Sequence, residues 1–113
     1  MSAIVISAGA AIRAYGGTKD NRPGVVLRRH PIDGVWWVFV AFGTSQPPPV
    51  DVEPPPVFVD RSHHAFASLG LDKPTWFTRR GAGRLREDDP SLRHVGTCPP
   101  DVLVALRQLF GFT

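Results

Sequence analysis

The sequence predicts a small β-barrel closed by a C-terminal helix, and three observations carry that expectation. Val35 to Phe42 (VWWVFVAF) is a long run of β-branched and aromatic residues, the strongest strand signal in the chain. Before it lies a second apolar run, Val25-Val26-Leu27, separated from it by a glycine-bearing turn at Ile32-Asp33-Gly34. Near the end, Val102, Leu103, Leu106, Leu109 and Phe110 fall on one stripe of a helix.

Taken in order, Ala3 to Ile6 reads as an opening strand that runs on through Gly9 toward Tyr15. A loop from Gly16-Gly17 follows, up to Arg22. Pro23 cannot donate a ladder hydrogen bond, so it belongs at a strand start or on an edge. Val25–His30 and Val35–Phe42 form a hairpin. The second strand is apolar on both alternating sets, with Val35, Trp37, Phe39 and Ala41 on one face and Trp36, Val38, Val40 and Phe42 on the other. One face is expected to line the barrel. The other is covered by the helix, by a second subunit or by the rest of the same chain.

Six prolines crowd between Gln46 and Pro56, which reads as a stiff extended connection. Val57–Val59 makes a short strand. Ser62 to Leu69 suits a brief helix with Ser62 as N-cap and Gly70 as a left-handed stop. Pro74 to Thr78 favours an edge strand, and residues 79 to 94 read as charged and irregular. The final helix begins at Thr97 or Cys98, with Pro99 and Pro100 in its first turn and Asp101 placed favourably for the helix dipole.

A chain of 113 residues, 42% hydrophobic, fits one domain spanning residues 1–113 with a core of its own. The net charge is +3, and only Lys19 and Lys73 of the thirteen basic residues are lysine. Arginine's planar fork suits phosphate, so a nucleic-acid or anionic partner is favoured. Compositional bias toward arginine is the competing explanation. A single cysteine, Cys98, excludes an internal disulfide and fits a reducing compartment. The apolar start from Ala3 to Ile12 lacks a preceding basic residue and is too short to span a bilayer, so a cytoplasmic protein is expected.

Metal chemistry finds little support in the spacing. His63 and His64 are adjacent and would diverge on a helix, and His94 with Cys98 lacks a second pair. Ser62-His63-His64 is no triad, because triad members converge in space and are not sequence neighbours. No glycine cluster has phosphate-loop spacing, so no metal and no cofactor is expected. What remains is Arg22 at a strand entry and Thr44-Ser45 directly after the strongest strand. If the hairpin forms, its two far ends lie together and Arg22 neighbours Thr44. A guanidinium beside hydroxyls makes a phosphate site. The alternative is an Arg22–Asp20 ion pair with ordinary turn bonds from Thr44 and Ser45.

GTKDNRPGVVL, an apolar strand ending in GTSQ, LGLDKPTWF and DPSLRHVGTCPPDVLVALRQLF, in that order and spacing, resemble the MazF/PemK-type toxins of type II toxin–antitoxin systems. The resemblance covers most of the chain from about Gly17 onward. It implies an SH3-like β-barrel with a C-terminal helix, a homodimer, a cognate antitoxin, and metal-independent endoribonuclease activity on single-stranded RNA. In that chemistry the substrate's 2′-OH attacks its own phosphate. The family's RPxxVL arginine falls on Arg22, and its threonine or serine after the next strand on Thr44, with Ser45 beside it. Its acid falls on Asp72 in LDKPT, as acceptor of the 2′-OH proton. The chain departs from the family where some members carry further arginines, at Gly70 and Thr75. Lys73, Arg79 or Arg80 would then supply the second cation, and Lys19 would add to RNA binding. Two other readings stay open: a non-catalytic barrel toxin acting on a protein such as a topoisomerase, and an interaction module using the proline-rich loop.

Overall fold

The computed structural model describes residues 7–14 and 22–112. The expected opening strand at Ala3–Ile6 and the loop carrying Lys19 lie outside them. The elements are β1 (Ala10–Ala14), β2 (Arg22–Ile32), β3 (Val35–Thr44), β4 (Val57–Val59), β5 (Thr75–Arg86), β6 (Leu92–Thr97) and α1 (Pro100–Leu109). All six strands belong to one antiparallel sheet in the order β4-β5-β3-β2-β1-β6. The protein is therefore mainly β with one C-terminal helix. Among the described residues no ladder joins β6 to β4 or β5, so the sheet keeps two edges and is not a closed barrel.

The sheet is nevertheless curled. Three strands separate β5 from β6, yet only residues 87–91 connect them, and Leu85 of β5 packs against the same apolar cluster as Leu92 of β6. That cluster, built on Ile12, Val26, Val38 and Val40, fills one side of the sheet. On the other side Ala11, Val25, Leu27, Ala41 and Phe77 meet Val102, Leu106 and Leu109 of α1. Both faces of β3 are thus covered from Val38 to Phe42 by this chain itself, which is why the strand reads as apolar on both alternating sets.

β2 and β3 meet at a two-residue turn in which Asp33 and Gly34 both take positive φ, 51° and 80°. That is the turn whose twist matches a hairpin. In α1, Pro100 occupies the first turn, where its missing N–H costs nothing, and Asp101 and Arg107 complement the dipole. The helix starts two or three residues later than the sequence suggests, with Pro99 as the cap residue.

Two expectations are corrected. Residues 62–69 form a chain of turns, not a helix. Asp60 accepts from both the backbone and the hydroxyl of Ser62, and His63 Nδ1 accepts from the Ala65 N–H, so the Ser62 hydroxyl does not take the N-cap role that a helix from this residue would need. Gly70, at φ 66°, does end the segment: Leu71 N–H bonds Phe66 O and Gly70 N–H bonds Ala67 O, a Schellman stop. Nor are residues 79–94 irregular. Pro74–Thr78 leads into β5, which runs on to Arg86, and at Thr75–Phe77 β5 lies between β4 and β3, not at an edge. The pattern is hidden because the inward positions are Gly81 and Gly83. A Cβ there would come within 2.6 Å of Phe42 O and 2.9 Å of the Phe42 ring. No helix among the described residues is long and apolar enough to cross a membrane.

Candidate active site

At the end of the sheet away from the Asp33-Gly34 turn, a cavity of about 350 Å³ opens to solvent. Four segments contribute: Arg13 from β1, Arg22 and Pro23 from β2, Gly43 to Gln46 from the end of β3, and Asp72, Lys73 and Thr75 from the entry to β5. Three cations face one carboxylate there, with hydroxyls between them. Charge-assisted hydrogen bonds from such groups are the kind that suit an oxyanion.

A bulge in β2 decides which residues meet. Near the turn Ile32 pairs with Val35 and Arg28 with Phe39, a register that would carry Arg22 to Ser45. Leu27 is the extra residue. Beyond it Val26 faces Val40 and Gly24 faces Phe42, and the same register continued brings Arg22 to Thr44. At the bulge the Leu27 carbonyl accepts a hydrogen bond from Arg107 of α1, at 3.2 Å. The Arg22 guanidinium lies 5.3 Å from the Phe42 ring centroid, across the strand pair, in cation–π range. Thr44 Oγ1 accepts from the Gln46 N–H at 3.2 Å, which leaves the hydroxyl proton available.

Asp72 and Lys73 stand on the exposed turn between Gly70 and Pro74, which Thr75 braces by donating its hydroxyl to Lys73 O at 2.8 Å. Arg13 is the functional candidate that the sequence reading passed over. It is 7% exposed, donates to Gly70 O at 2.7 Å and sits 3.5 Å from Asp72 Oδ1, whose side chain is 69% exposed. A lone arginine inside AAIRA carries no motif. Only its place as the one charged residue in an otherwise apolar strand hints at it.

Among the residues expected from the sequence, Arg22, Thr44, Ser45, Asp72 and Lys73 line this cavity together. Arg79 and Arg80 do not. They are exposed on a β5 bulge, where residues 78–81 stand against the single residue Phe42 of β3. Lys19 lies outside the described residues.

Elsewhere, the Ser62-His63-His64 run makes no catalytic relay: Ser62 donates to Asp60, while His64 Nε2 lies 2.9 Å from Asp101 Oδ2. The His64 hydrogen bond holds the Asp101 carboxyl below its usual range. Cys98 is buried, and burial first, then the Asp101 charge, pushes its thiol up to about 12, so it is no nucleophile. No group of three or more His, Cys, Asp or Glu that could hold a metal occurs among the described residues. A second cavity, about 470 Å³, lies at the turn end beside Trp36, Asp89, Arg93 and His94. Its neighbour Arg29 is ion-paired with Glu87 and stacked 3.7 Å from the Trp36 ring centroid. No protein-family model and no curated protein matches the chain.

Proposed function

We propose that the chain is a MazF/PemK-type toxin, an endoribonuclease that cuts single-stranded RNA by 2′-OH attack and arrests growth until a cognate antitoxin restrains it. The single observation that carries this reading is the convergence of Arg22, Thr44 and Asp72 on one solvent-open cavity. On this reading the curled sheet is an SH3-like barrel, and the five-residue link from β5 to β6 supports that view. The protein then works in the cytoplasm as a homodimer.

The 2′-oxygen attacks phosphorus, the bond from phosphorus to the 5′-oxygen breaks as that oxygen takes a proton from water, and a 2′,3′-cyclic phosphate and a 5′-OH result. Asp72 takes the 2′-OH proton, an assignment supported by its exposed carboxylate at the cavity wall. Arg22 and the Thr44 hydroxyl bind the non-bridging oxygens as charge builds, and Lys73 adds a second positive charge from the facing turn. Arg13, anchored on Gly70 O beside Asp72, is the second arginine of the site, in place of Arg79 or Arg80.

The test is cleavage of a long unstructured RNA in EDTA. Arg22→Ala and Thr44→Ala are each expected to lower the rate by about 10²–10³, the usual cost of removing an oxyanion donor. Circular dichroism should stay unchanged. Native-rate cutting by either variant removes that residue from the site, and growth arrest with intact RNA overturns the reading in favour of a protein target.

A further inference from the structure

The ladders that set Thr44 at the cavity also set an aromatic pair beside it. Thr44 of β3 is directly opposite Trp76 of β5, and Trp76 is directly opposite Phe58 of β4. Directly opposed residues of antiparallel strands project from the same face. Phe58, Trp76 and Thr44 therefore form one row across three strands, and the β2–β3 register continues that row to Arg22. Its aromatic end lies at the sheet edge and its basic end at the cavity.

The two rings stack, with centroids 4.4 Å apart and planes inclined by 21°. Neither belongs to either apolar cluster of the core, and Phe58 is 40% exposed. Trp76 is half-buried, so packing against the core covers only part of this aromatic pair. Phe58 covers one side of the indole. Thr44 stands on the other side of Trp76, on the neighbouring strand at the ordinary spacing of roughly 4.8 Å.

We infer that Trp76, backed by Phe58, is a stacking platform for one unpaired nucleobase of the RNA, adjacent to the phosphate held by Arg22 and Thr44. This rests on the ribonuclease reading for its ligand but concerns binding, not cutting. A nucleotide whose phosphate sits at Thr44 has its base within reach of a ring on the neighbouring strand. Charge supports that occupant, because the row leads from the rings into the cations of the cavity, which would repel a basic peptide. Stacking on indole is open to every base, so the platform selects a splayed, single-stranded base over one stacked in a duplex and reads little sequence.

The experiment is equilibrium binding of a short single-stranded oligonucleotide with 2′-O-methyl riboses, which lacks the nucleophile and stays intact. Abasic residues are placed at each position in turn. Trp76→Ala should weaken binding roughly tenfold, and Trp76→Phe should retain most of the affinity. Trp76→Leu keeps apolar bulk without an aromatic face, and replaces Trp76→Ala if that variant unfolds. At one oligonucleotide position, removing the base should weaken binding to the wild type and add nothing in the Trp76 variant. Wild-type affinity in the folded variants, full additivity at every position, or no binding by the wild type would each overturn the platform. Coupling without any RNA cleavage would keep the platform and overturn the ribonuclease reading, whereas cleavage without coupling would do the reverse.

Discussion

The Cys98 thiol sits buried just ahead of α1, close to the Asp101 charge, and both features oppose ionisation. Iodoacetamide at pH 8 should therefore label the urea-unfolded chain and leave the native protein unlabelled. Because the folded thiol ionises only near 12, the unfolded chain binds fewer protons than the folded one above its ordinary thiol range. Stability should then decline as pH rises from about 9 toward 12, and Cys98→Ala should flatten that decline in urea titrations. Arg13 is the opposite case, a charged side chain that is buried and bonded. Arg13→Met would leave Gly70 O without this donor and should lower stability by about 1–3 kcal/mol, read from urea midpoints. Lys at this position keeps a charge but lacks the planar guanidinium whose Nη2 donates to Gly70 O and approaches Asp72. Arg13→Lys should therefore remain stable more nearly than it remains active in RNA cleavage.

At the scale of elements, the β2 bulge and α1 act together. Arg107 reaches from the helix to the Leu27 carbonyl at the bulge, and that bulge sets Arg22 opposite Thr44 and not opposite Ser45. Arg107→Met removes this charge-assisted hydrogen bond to a buried residue and should cost about 1–3 kcal/mol. It should also slow RNA cleavage, although Arg107 is not among the residues lining the cavity. An unchanged rate at reduced stability would show that the bulge holds its register without the helix. The hairpin turn lies at the other end of the sheet, which makes it the control. Gly34→Ala forces a Cβ into a left-handed conformation and should cost about 1–2 kcal/mol with cleavage intact. Strand β5 shows why a pattern can be illegible. Its inner positions are glycines chosen for their lack of volume against Phe42, so period-2 alternation is present in the burial of 81–86 but absent from the hydrophobicity.

For the molecule as described, one sheet packed on α1 has to bury both of its faces, and curling allows this with the 10 residues of that helix. Acid should test the loops that fasten the curl. The Asp60, Asp89 and Asp101 carboxyls are held below their usual range, chiefly by hydrogen bonds from Ser62, Ser91 and His64 respectively. For such groups the unfolded chain binds more protons in the intervening window, so their stabilisation is present above about pH 4 and lost as pH falls below it. Urea midpoints measured from pH 6 to 3 should fall, and Asp89→Asn should reduce the slope.

The amino-acid sequence by itself determined what is local. Periodicity and turn chemistry specify the β2–β3 hairpin, β4, the α1 stripe and the left-handed stop at Gly70, and hairpin geometry alone puts Arg22 near Thr44. What depends on distant partners was decided by the tertiary structure. The bulge is matched by an arginine 80 residues away, and Arg13 is drawn to a carbonyl 57 residues away. Whether the sheet closes into a barrel or stays open with edges at β4 and β6 depends on pairing between strands remote in the chain. Side-chain periodicity records which way a residue faces. It does not record which strand lies opposite, because that choice is made by packing the whole sheet against its helix.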